Sequence, residues 1–99
     1  MAMREVEPDE VKKRLRLGEE VFLVDVREPD EVEAWAYPVG VNIPLGQLDS
    51  RLHEIPRDAT VVVACHLGGR SAVAAKMLSD AGWTVENLAG GAVAWEAGE

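Results

Sequence analysis

Two short, nearly unbroken apolar runs dominate the chain, Val21-Phe22-Leu23-Val24-Asp25-Val26 and Thr60-Val61-Val62-Val63-Ala64-Cys65. Both are rich in β-branched residues, too short for ordinary helices, and without alternating polar positions. That pattern predicts strands buried on both faces, and so a parallel sheet with helices on either side. Shorter strands are predicted at Val41-Asn42-Ile43, ended by Pro44, and at Thr84-Val85-Glu86-Asn87-Leu88.

Helical spacing fills the intervals. Pro8 suits a first helical turn with Asp9 and Glu10 at its positive end; Val11, Leu15 and Leu17 give an apolar stripe, and Gly18 a stop. Pro29 opens an acidic segment, Asp30 to Trp35, of one or two turns. Leu45, Leu48 and Leu52 fit a helix reaching Ile55 and broken at Pro56. An Ala-rich helix is predicted over 71–81, with Val73, Met77 and Leu78 on one side and Gly82 as terminator. Ala89-Gly90-Gly91 then turns into a short closing helix carrying Trp95. Strands thus alternate with helices, with no repeat or linker. Right-handed crossovers make this an α/β fold, a single parallel β-sheet flanked by helices on both faces, in one domain over 1–99. Ligands in such folds bind beyond the carboxyl ends of the strands.

Composition narrows the partners. Ten Lys and Arg against eighteen Asp and Glu leave a formal charge of −8, which argues against nucleic acid and anionic membranes. No apolar run approaches the roughly 20 residues of a membrane helix, and Met1-Ala2-Met3-Arg4-Glu5 does not begin a secretory leader. One cysteine, Cys65, permits neither an internal disulfide nor a Cys-based metal cluster. The expected address is the reducing cytoplasm, with no metal and no cofactor.

The carboxyl-end rule points to Cys65-His66-Leu67-Gly68-Gly69-Arg70-Ser71. Two adjacent glycines let a strand–loop–helix turn curl so that backbone N–H groups point inward. A helix beginning near Ser71 adds about half a positive charge at its N-terminus. A thiol at the rim of such a bowl has a lowered pKa and is a nucleophile, and the same N–H groups hold an anionic sulfur. No acidic residue lies between Asp58 and Asp80, while His66, Arg70 and Lys76 do. A free cysteine ending a buried strand is otherwise a small core hydrophobe. Arg70 and Ser71 are otherwise helix-entry residues, Ser71 as N-cap, and His66 belongs on the loop's outer rim.

These residues resemble the rhodanese sulfurtransferases. The similarity rests on Val24-Asp25-Val26-Arg27-Glu28 with Glu31, on Asn42-Ile43-Pro44-Leu45, on Val61-Val62-Val63 running into Cys65 to Ser71, and on Asn87-Leu88-Ala89-Gly90-Gly91 with Ala94-Trp95. Where many members carry Gly-His-Ile-x-Gly-Ala, this chain has Trp35-Ala36-Tyr37-Pro38-Val39-Gly40, so Ala36 replaces the usual His. The resemblance implies a double displacement. Cys65 takes a sulfane sulfur from thiosulfate or a persulfide donor, carries it as a persulfide, and gives it to cyanide or a thiol. It further implies that the loop His66 to Ser71 binds the transferred sulfur, that Arg70 assists the anionic donor, and that Asp25 and Arg27 brace the loop. The implied partners are a small anionic sulfur donor, a thiol acceptor and a sulfur-relay protein. Two other functions share this fold. One is a thiolate-dependent phosphatase or arsenate reductase, disfavoured because the related phosphatases have a Cys-x5-Arg loop, one residue longer than the six from Cys65 to Arg70. The other is a non-catalytic interaction module, disfavoured because Cys65 is kept, with Trp35 and Trp95 as candidate exposed aromatic contacts although core packing is the commoner fate of each.

Overall fold

A computed structural model describes residues 3–98; Met1, Ala2 and Glu99 of the expected 1–99 domain lie outside the described residues. Five strands, β1 (Met3–Val6), β2 (Phe22–Asp25), β3 (Val41–Asn42), β4 (Thr60–Ala64) and β5 (Thr84–Leu88), form one sheet. Their order is β1-β5-β4-β2-β3 and every pairing is parallel. Helices α1 (Pro8–Arg16), α2 (Pro29–Ala34) and α3 (Gly69–Asp80), with 3-10 turns at Leu45–Gln47 and Asp49–Glu54, connect the strands, and α4 (Gly91–Ala97) follows the last of them.

Alternation along β4 splits the core in two. Val61, Val63 and Cys65 pack with Ala74, Ala75 and Leu78 of α3 and with Leu48 and Ile55, whereas Val62 and Ala64 join Val11 of α1 and Ala92 and Trp95 of α4. The sheet is therefore covered on both faces. Each fully buried Val or Leu contributes about 1.5–3 kcal/mol. Glu86 is a charged residue within core strand β5. Arg14 of α1 closes on it with a two-pronged contact at 2.6 and 3.0 Å, and this guanidinium holds the carboxyl below its ordinary range.

Several expectations are corrected. β1 is a strand the hydrophobic pattern did not predict, because it is an edge on which only Val6 is buried. Leu17 is exposed beyond the end of α1. The Leu45–Ile55 segment is not one α-helix: Leu45 opens a 3-10 turn, Leu48 lies between it and a second, and Arg51 interrupts the second turn at φ −121°. Helix α3 begins at Gly69, not Ser71, and it buries Ser71, Ala74, Ala75, Leu78 and Ser79. Val73, placed on one side with Met77 and Leu78, is 55% exposed, whereas Leu78 is buried.

The chain leaving β4 enters α3 on one face of the sheet, while the chain leaving the neighbouring β2 runs through Trp35, Tyr37 and Val39 on the other. Adjacent strands whose connections part in this way open a crevice at their carboxyl ends.

Candidate active site

Cys65 is the first residue past β4 and is itself 1% exposed. Its sulfur is not sealed in hydrocarbon. The Gly68 N–H donates to Sγ at 3.0 Å and the Ser71 N–H at 3.4 Å, and the Ser71 hydroxyl oxygen lies 3.4 Å away. The curl that aims these amides depends on Gly68, which caps α3 at φ +107°, a conformation costly for residues with a Cβ. Burial pushes the Cys65 thiol up; the hydrogen bonds it accepts from Ser71, Gly68 and Leu67 outweigh burial and leave it below its ordinary value.

The loop is held from behind by α4. The Ala92 N–H donates to the Cys65 carbonyl at 2.9 Å and the Val93 N–H to the His66 carbonyl at 3.1 Å, so first-turn amides of α4 find their partners in the loop. Gly91 makes this approach possible. At φ +57° it would place a Cβ 2.6 Å from the carbonyl oxygens of Cys65 and His66, a separation that forces the backbone apart.

A network of paired charges forms the outer wall. Arg27 forks onto Asp25, with Nε at 3.0 Å and Nη2 at 2.7 Å, and both residues are buried. The same guanidinium donates to the Trp35 carbonyl at 2.9 Å and to the Glu31 carbonyl at 3.4 Å, fixing α2 to β2. Glu31 accepts the Glu28 N–H at 2.9 Å and grips Arg70 with both oxygens, at 2.7 and 2.8 Å. Arg70 first, and the Glu28 amide second, bring the Glu31 carboxyl down to about 2.

The structure thus gathers the residues singled out by sequence. Gly68 and Ser71 meet the sulfur through their amides. Gly69, His66 and Leu67 face outward, Leu67 at 66% exposure. Arg70 is engaged by Glu31, and Asp25 and Arg27 tie α2 to the sheet. Ser71 is not the N-cap; Gly68 is. Trp95 is buried and Trp35 half-buried, so neither is the exposed aromatic contact considered above. Three contributors went unread. The Tyr37 hydroxyl donates to the Cys65 carbonyl at 2.7 Å. Asn87 accepts the Ser71 hydroxyl, and Gly91 admits the loop. Asn87 and Gly91 lie within a quoted motif without a role; Tyr37 gave no signal beyond its place beside Ala36. Among the described residues no His, Cys, Asp and Glu cluster could hold a metal ion, and no helix is long and apolar enough to cross a membrane.

The chain is 36% identical over 94 residues to a protein named sulfurtransferase from Allochromatium vinosum, covering 94% of this chain and 88% of that one. The fold is similar to the rhodanese-like domain protein from Staphylococcus aureus, with a TM-score of 0.88 at 28% identity, over 96% of this chain and 91% of that chain. It is also similar to reduced Bacillus anthracis CoADR-RHD, with a TM-score of 0.86 at 36% identity, over 94% of this chain and 16% of that chain. A parallel sheet with a cysteine-bearing loop at its carboxyl end, matched over residues 7–98 by the Rhodanese-like domain family, places this chain in that family.

Proposed function

We propose that the chain is a sulfurtransferase in which Cys65 is the nucleophile and the transferred sulfur rides on it as a persulfide. The observation that carries this is the convergence of the Gly68 and Ser71 amides on Sγ at 3.0 and 3.4 Å. They favour the thiolate before attack, and the loop's N–H groups suit the anionic outer sulfur afterwards. In the first step the Cys65 thiolate attacks the sulfane sulfur of thiosulfate. A sulfur–sulfur bond forms, the bond to the sulfonate sulfur breaks, and sulfite leaves with its electron pair. In the second step cyanide or a thiolate attacks the terminal sulfur, and the Cys65 thiolate departs. Two displacements at sulfur replace one. Asp25, Arg27 and Glu31 brace the loop, and Arg70, forked onto Glu31, fixes its helical end.

A phosphatase has less support. Arg70 is already forked onto Glu31, and a loop of six residues from Cys65 to Arg70 forms a smaller bowl than phosphate requires.

Mass spectrometry after thiosulfate treatment tests the proposal. One added sulfur is expected on the peptide containing Cys65, and none in Cys65→Ser, whose sulfur transfer to cyanide should be abolished with the fold retained. An unmodified Cys65 peptide, or full activity in Cys65→Ser, would overturn it.

A further inference from the structure

Beside the sulfur lies a second polar chain, running from the edge of the sheet to the loop. Parallel register pairs Glu5 of β1 with Asn87 of β5, so their side chains leave the sheet on the same face. Asn87 is buried. Its Nδ2 donates to Glu5 Oε2 at 2.9 Å and to the Gly68 carbonyl at 3.4 Å, while its Oδ1 accepts from Ser71 Oγ at 2.5 Å. Ser71 Oγ is in turn 3.4 Å from Cys65 Sγ.

Proton counting makes this chain directional. An ionised carboxylate and a carbonyl only accept, so the Asn87 atom facing Glu5 and Gly68 must be its NH2, and its oxygen must face Ser71. The Ser71 hydroxyl has a single proton, and three acceptors surround it: Asn87 Oδ1 at 2.5 Å, the Gly68 carbonyl at 3.2 Å and Cys65 Sγ at 3.4 Å. The shortest contact takes the proton, and it points away from sulfur. The sulfur therefore competes with Asn87 for the one hydroxyl hydrogen bond that helps lower the Cys65 thiol, and its steady donors are the backbone N–H groups.

We propose that Glu5 and Asn87 are positioning residues that hold the Ser71 proton away from Cys65, keeping the thiolate more basic and hence more nucleophilic than the loop alone would leave it. This rests on the assignment of Cys65 as nucleophile. A thiolate stabilised by every available donor is easily formed but attacks slowly, because nucleophilicity falls with basicity. Withholding one hydroxyl shifts that balance towards attack. The other ionisable groups around the loop are already accounted for: Asp25 is closed by Arg27, Glu31 by Arg70, Tyr37 is a buried phenol donating to the Cys65 carbonyl, the His66 side chain is exposed, and Glu96 lies beyond Tyr37.

Glu5 sits on an exposed edge, so Glu5→Ala leaves the core intact. Without the carboxylate, only the 3.4 Å contact to the Gly68 carbonyl still orients the Asn87 amide, so it turns over more readily and Ser71 donates more to the thiolate. The pH profile of iodoacetamide alkylation of Cys65 should then cross that of the wild type. Below the midpoint it becomes about three- to tenfold faster, as a charge-assisted hydrogen bond implies, and at high pH its limiting rate becomes slower. Removing a negative charge also favours a thiolate through space, so the deciding measurement is Glu5→Ala in a Ser71→Ala background. The part of the effect carried by the Ser71 proton must vanish there, leaving only the smaller through-space part. The proton-borne part must likewise vanish in Asn87→Ala, which releases the Ser71 proton by itself and should show the crossed profile alone. An effect of Glu5→Ala that persists undiminished in either background, or its absence in the wild-type background, overturns the proposal. Alkylation needs no sulfur donor, so failure of Cys65 to gain sulfur from thiosulfate would remove the proposed activity while leaving this cycle readable.

Discussion

Tyr37 shows how one hydroxyl acts at the residue scale. Its ring is held edge-on between Trp35 and Trp95, with centroids at 5.0 and 5.4 Å, and the Arg27 guanidinium lies 5.2 Å from its centre. Burial pushes the phenol well above its ordinary value, so it remains a donor across the working pH range. The Cys65 carbonyl therefore accepts two hydrogen bonds, from Tyr37 and from the Ala92 amide. Tyr37→Phe keeps the ring packing and removes one donor, leaving the carbonyl partly satisfied. A loss of about 1 kcal/mol is expected, visible in urea as a lower midpoint with an unchanged slope. No change in midpoint would mean that the Ala92 amide alone suffices to hold the carbonyl. The sequence could not show this contact, because hydrophobic spacing reports which face a residue occupies and not where its hydroxyl ends.

Helix α2 is a single short helix, yet it transmits the Asp25–Arg27 pair to the loop through Glu31. The Glu31 carboxyl is at about 2, against 4.5 ordinarily. A depressed folded value means that ionised Glu31 stabilises the fold above about pH 4.5, and that this is lost as pH falls towards 2. The Glu31 and Arg70 side chains are 30% and 38% exposed, so solvent screens the pair and holds its worth to about 1 kcal/mol or less. Urea midpoints measured from pH 6 down to pH 2.5 should fall less steeply in Glu31→Gln than in the wild type, converging at the acid end. Parallel curves would show that the Arg70 pair is absent in solution. Elements were legible in sequence where burial was two-sided or a loop had punctuation: β2, β4 and the Gly68-Gly69 turn follow directly from the residues. Helix α3 was legible but rotated. Its buried stripe is Leu78 together with Ser71, Ala74, Ala75 and Ser79, four small residues that let the helix press close to the sheet, whereas apolarity alone favours Val73. β1 was illegible because an edge strand holds its place through backbone pairing with β5, which leaves almost no hydrophobic trace.

At the scale of the whole molecule, the reactive loop sits in the field of a protein carrying a formal charge of −8. The loop's own cation does not counter this at a distance, since Arg70 is neutralised by Glu31 within hydrogen-bonding reach. The amide dipoles that favour the thiolate act over a few ångströms, whereas net charge acts over a Debye length, about 30 Å in 10 mM salt and about 8 Å at 150 mM. An approaching anion therefore meets repulsion first and attraction only on arrival. Two alkylating agents of similar size separate these effects, because iodoacetate is an anion and iodoacetamide is neutral. The ratio of their rates at Cys65 should rise roughly two- to fivefold between about 10 and 150 mM sodium chloride, as screening weakens the long-range repulsion. The iodoacetamide rate itself should stay nearly flat. Thiosulfate, with twice the charge of iodoacetate, should respond more strongly, with kcat/KM for persulfide formation rising over the same range. A ratio that falls with salt would mean that His66 and the loop amides set the potential at the mouth, and that net charge does not govern how donors arrive.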